Sequence, residues 1–74
     1  MITKEEAIKR VKSEYPGVDF HIGFLCNKTY AFSGTKDGQL PIGYYCIDSE
    51  TGEKCAGIDI RKAADAIKKG VFQV

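Results

Sequence analysis

Val18-Asp19-Phe20-His21-Ile22-Gly23-Phe24-Leu25-Cys26 alternates with a period of two, the pattern of a β-strand with one buried face. Val18, Phe20, Ile22, Phe24 and Cys26 are expected on the core side, and Asp19, His21, Gly23 and Leu25 on the other. Asn27-Lys28 suits a tight turn because Asn tolerates positive φ, and Thr29 to Ser33 alternates again with Tyr30 and Phe32 on one side. A hairpin is expected. Gly34-Thr35-Lys36-Asp37-Gly38-Gln39-Leu40-Pro41 has two glycines, a proline and no period, so it is expected as the longest loop. Ile42 to Asp48 is β-branched and aromatic and is expected as the third strand. Asp48-Ser49-Glu50-Thr51-Gly52 is a turn, and Glu53 to Ile58 is expected to return as the fourth strand.

Helices flank these strands. Thr3-Lys4-Glu5-Glu6 is a capping box, with Ile2 and Ala7 placed as a hydrophobic staple, and Ala7, Ile8, Val11 and Tyr15 recur at helical spacing before Pro16-Gly17. The first helix is expected over 4–14. Asp59 is a natural N-cap for a second helix, in which Ile60, Ala63, Ala64 and Ile67 form the expected buried face and Gly70 the stop. Lys68 and Lys69 fall in the last turn, where the helix dipole favours cations.

The 74 residues are 43% hydrophobic and 28% charged, with 11 Lys and Arg against 10 Asp and Glu. That balance argues for a single small, near-neutral globular domain over 1–74 and against a strongly basic nucleic-acid binder, and the order of the elements makes the domain α+β. A chain this short buries roughly 60% of its unfolded surface, so one thin core is expected and no catalytic lobe. The expected architecture is two-layer: an antiparallel sheet of three or four strands with the N-terminal and C-terminal helices packed on one face, in the order α-β-β-β-β-α. Its other face would meet water or a partner. No apolar run approaches the ~20 residues of a membrane span, Met1-Ile2-Thr3-Lys4-Glu5-Glu6 is unlike a secretory leader, and the odd cysteine count suits a reducing compartment. A cytoplasmic setting without membrane contact is expected.

The start Ile2-Thr3-Lys4-Glu5-Glu6-Ala7-Ile8 and the later Tyr45-Cys46-Ile47-Asp48-Ser49-Glu50-Thr51-Gly52-Glu53 resemble PepSY-like small domains, including toxin-immunity-type proteins. The resemblance covers about a third of the chain in two pieces. The Gly34 to Pro41 segment and the Ala63-Ala64 helix depart from it. It implies a non-catalytic domain that binds or inhibits another protein, and it supplies no catalytic residue.

The candidate chemistry is sparse. A turn centred between Glu50 and Thr51 sets Cys46 opposite Cys55, where a disulfide is geometrically conceivable and reduced packing is the simpler alternative. A zinc site would need Cys26, Cys46, Cys55 and the single histidine His21, which is placed on the opposite side of its strand from Cys26, so no metal is expected. No nucleophile is tied to His21 by a recognisable motif. Asp48, Glu50 and Glu53 are explained by turn chemistry. Gly34 to Gly38 does not match a phosphate-binding loop.

A non-enzymatic protein-binding domain without a cofactor is therefore expected, of a small bacterial or phage inhibitor or immunity type. It would use the open sheet face, a strand edge and the 34–41 loop. The expected partner-binding residues are His21, Tyr30, Lys36, Asp37, Tyr44 and Tyr45, since three tyrosines exceed what one thin core holds. A homodimer through a strand edge would use the same surface. The alternative is nucleic-acid binding through basic helix surfaces, which the charge balance disfavours, and a thiol-based redox sensor follows behind it.

Overall fold

A computed structural model describes residues 1–39 and 43–74. Helix α1 spans Lys4–Glu14, strands β1, β2 and β3 span Val18–Cys26, Thr29–Lys36 and Tyr45–Asp48, helix α2 spans Ile60–Lys69, and β4 is Phe72–Gln73. The fold is α+β, with a four-stranded antiparallel sheet in the order β3-β2-β1-β4 and a helix contributed by each end of the chain.

Both helix starts follow from their caps. The Thr3 hydroxyl accepts from the Glu6 amide at 3.1 Å, while the Glu6 carboxylate pairs with Arg10 one turn on. Asp59 accepts from the Arg61 amide at 2.9 Å, and Gly70 at φ 140° ends α2. The hairpin turns are equally local. Asn27 takes φ 56° to pair Cys26 with Thr29.

The 34–41 expectation is corrected in part. Residues Gly34–Lys36 continue β2, and Asp37-Gly38, both at positive φ, make a tight turn that pairs Lys36 with Gln39. Leu40 and Pro41 of that expected loop, and Ile42 of the expected third strand, lie outside the described residues. The expected strand at Glu53–Ile58 is also corrected. Its register is present, with Asp48 N donating to Glu53 O and Cys55 N to Cys46 O, but pairing is limited to the Ile47/Lys54 bridge. The fourth strand is instead β4, which follows α2 and pairs with β1 through Ile22/Gln73 and Gly23/Phe72.

The largest correction concerns sidedness. Phe20 pairs with Gly34 but Ile22 pairs with Ser33, so His21 is an extra residue in β1 and the alternation changes phase there. Phe20 consequently packs with Ala7, Val11, Tyr30, Phe32 and Ile47 beneath α1, whereas Phe24 and Cys26 pack with Ala31, Cys46, Ala63 and Ala66 beneath α2. Successive residues Tyr30, Ala31 and Phe32 are all buried and alternate between the two clusters. The helices lie on opposite faces. The expected single open face does not exist, because each side of the sheet has its own core.

Gly23 is the close approach that lets β4 dock. A Cβ there would stand 2.7 Å from the Phe72 ring and 2.8 Å from that of Phe32, and those rings meet edge to face at 5.9 Å between centroids. Gly23→Ala should therefore cost roughly 1–3 kcal/mol, read as a lower urea midpoint at unchanged slope. An unchanged midpoint would mean that Phe72 does not pack against β1.

Candidate functional site

The six expected contact residues do not form one surface. Tyr30 is 6% exposed and its hydroxyl donates to the Ile2 carbonyl at 3.1 Å, so it serves the core. Tyr45 is half-buried beside Tyr15 and Phe20, at 4.7 and 5.4 Å between ring centroids. Tyr44 lies on the opposite face against Phe24, at 5.2 Å. Two cores accommodate the tyrosines that one could not. His21 is exposed at the bulge, where Nε2 is 3.4 Å from the Thr35 hydroxyl, and Lys36 and Asp37 are exposed at the far hairpin turn.

The edges are short. Cys46 O and Asp48 N on the outer side of β3 are taken by Cys55 and Glu53, and β4 is two residues long. Among the described residues neither edge offers the long row of free groups that strand addition uses.

The exposed apolar surface lies elsewhere. Among the described residues the exposed large hydrophobic side chains are Met1, Leu25, Ile60, Ile67 and Val71, and three of these follow one another along and just beyond α2. Ile60 is 79% exposed, Ile67 37% and Val71 45%. Ile60, Ala64 and Ile67 are spaced i, i+4 and i+7, which makes one stripe about 10 Å long at ~1.5 Å per residue. The expected buried face of α2 is thereby corrected. Ala63 and Ala66 face the sheet, because their small side chains let the helix sit close over Phe24, and the isoleucines are turned to the flank.

Sequence reasoning missed this site because two apolar faces overlap on one helix. The separating signal was the third alanine, Ala66, which with Ala63 forms an i, i+3 pair of its own. Arg61 and Lys68 run beside the apolar stripe, and α2 carries four basic side chains against one acid, Asp65. On its other flank Leu25, Asn27, Lys62, Asp65 and Lys69 line a shallow hollow of about 210 Å³.

The thiols and turn carboxylates have plain surroundings. Asp48 Oδ1 accepts from the Glu50 and Thr51 amides at 2.7 and 3.2 Å, as its turn position requires. Among the described residues no cluster of three His, Cys, Asp or Glu side chains is placed to hold a metal, and no helix is long and apolar enough to cross a membrane. The three cysteines are free thiols. Burial pushes the Cys46 thiol up to about 11, with neighbouring Cys55 and Cys26 acting in the same sense, so it is protonated at neutral pH. Comparisons with known protein families, with characterised proteins and with solved structures find no match.

Two outcomes are expected. Ile60→Ser should leave the unfolding free energy within about 0.5 kcal/mol of wild type, because the side chain is already in water. A larger loss in urea titration would place Ile60 in the core. Stability should also fall between about pH 9 and pH 11, since the unfolded Cys46 thiol ionises while the folded one holds its proton. The half-buried Tyr15, raised by burial and by the charge that Cys46 and Cys55 carry when ionised, adds to the same trend. Urea midpoints across that range should fall less steeply for Cys46→Ala, and an identical slope would contradict the assignment.

Proposed function

We propose that this protein is a non-catalytic binding domain that engages another protein through the outer flank of α2. The observation that carries the reading is the stripe of Ile60, Ala64 and Ile67, bordered by Arg61 and Lys68, with Val71 also exposed just beyond the helix. Large aliphatic side chains on a rigid helix, flanked on one side by charge, are suited to anchor an apolar partner surface. The stripe spans two helical turns and its border is basic. The matching occupant is a helix from another protein with aliphatic residues on one face and carboxylates beside them. The sheet plays the part of scaffold, with both faces spent on packing.

The PepSY-like resemblance of the first helix and the 45–53 hairpin agrees with such a role, and extends the proposal to an inhibitor or immunity-type protein of a bacterium or phage acting in the cytoplasm. Nucleic acid fits less well. A cationic surface for phosphates has no use for isoleucines at its centre.

Selection of helical peptides against the immobilised protein tests this reading. The recovered binders should be amphipathic and acidic, and Ile60→Glu together with Ile67→Glu should weaken them at least about tenfold in a protein that remains folded. Recovery of no binder, or of binders indifferent to both substitutions, would overturn it. Tight binding of single-stranded or duplex DNA at low salt that survives both substitutions would also overturn it.

A further inference from the structure

We propose that Cys46 and Cys55 are a disulfide-forming pair, in which Cys55 reacts first with a small disulfide of the glutathione class and Cys46 closes the bridge. The pairing is set by the chain itself. The Asp48 to Gly52 turn is closed by Gly52 N donating to Asp48 O at 2.9 Å, and the returning segment pairs Lys54 with Ile47 and donates from Cys55 N to Cys46 O at 3.1 Å. Cys46 and Cys55 are therefore the next residues in register. Directly opposed residues of this kind have Cα atoms about 5.5 Å apart, inside the ~4.4–6.8 Å that a disulfide spans.

Both side chains also point the same way, into the cluster of Phe24, Ala31 and Ala63 beneath α2. Their accessibility differs. Cys46 is 1% exposed, whereas Cys55 is half-buried at the margin of the cluster. A reagent from solution meets Cys55 first. Cys26 provides an internal control, because it lies on β1, two strand spacings or about 9.5 Å from β3 with β2 between them.

The chemistry balances. The Cys55 thiolate attacks one sulfur of glutathione disulfide, the sulfur–sulfur bond breaks, and one glutathione leaves as a thiolate that takes up a proton. Cys46 then gives its proton to solvent and attacks the Cys55 sulfur, releasing the second glutathione. Two protein thiols are oxidised and one disulfide is reduced to two thiols. Closure should quicken with rising pH, because the buried Cys46 is pushed up to about 11 and must ionise to attack.

The test treats the folded protein with glutathione disulfide, then unfolds it, alkylates the remaining thiols and maps peptides by mass. The expected product is a single Cys46–Cys55 crosslink, two hydrogens lighter than the reduced peptides, with Cys26 alkylated. Cys46→Ser should stop at a mixed disulfide on Cys55, and Cys55→Ser should react at least about tenfold more slowly. A crosslink that includes Cys26 would overturn the proposal. A mixed disulfide persisting in wild type, or no reaction in protein that circular dichroism shows to be folded, would do the same. The wild-type result decides the matter even if a variant fails to fold.

Discussion

The extra residue at His21 is the constraint on which the rest of the structure depends. A regular β1 would send Phe20 and Phe24 to the same side, and one of the two cores would lose its phenylalanine from this strand. With His21 bulged, Phe20 belongs to the α1 core and Phe24 to the α2 core, so a single strand supplies both. The bulge also serves the edge, since the His21 carbonyl accepts from the Val74 amide at 3.2 Å where β4 joins β1. Removing the residue would exchange the faces of everything after it.

Two thin cores need different fillings. Under α1, rings of Tyr15, Tyr45, Phe20, Phe32, Phe72 and Tyr30 form a chain of edge-to-face contacts, with centroid distances from 4.7 to 6.4 Å. Under α2, Phe24 and Tyr44 meet at 5.2 Å and the remaining space is closed by alanines and thiols. The first core is broad and aromatic. The second is shallow, which brings α2 close to the sheet and turns its larger side chains outward. Ser49 ties the layers together: its side chain donates to Lys28 O at 2.7 Å and its carbonyl accepts from the Ile2 amide at 2.6 Å.

The elements written in local physics were legible from residues alone. The Thr3 and Asp59 caps, the Asn27 turn, the Asp48 turn and the register that sets Cys46 opposite Cys55 each depend on a few neighbours in the chain. What was illegible depends on partners distant in sequence. A bulge leaves no mark in an alternating pattern, because Phe20, Ile22 and Phe24 read as one face whether or not His21 is extruded. Phe72 is too brief a signal to announce a strand, and its pairing depends on the space left by Gly23. The three tyrosines expected at the contact surface are shared between the two cores for the same reason. Exposed tyrosines followed from assuming one core, and the outward isoleucines of α2 became visible only once Ala63 and Ala66 were placed against the sheet.

A sheet that is oily on both sides carries a kinetic liability during assembly. The β1–β2 hairpin and β3 precede α2 in the chain, so any state in which α2 is detached leaves the layer of Phe24, Ala31 and Cys46 uncovered. Such layers stick to copies of themselves at high concentration. Lys28 and Lys36, exposed at the hairpin tip and at the end of β2, put charge at the two ends of β2 beside that layer.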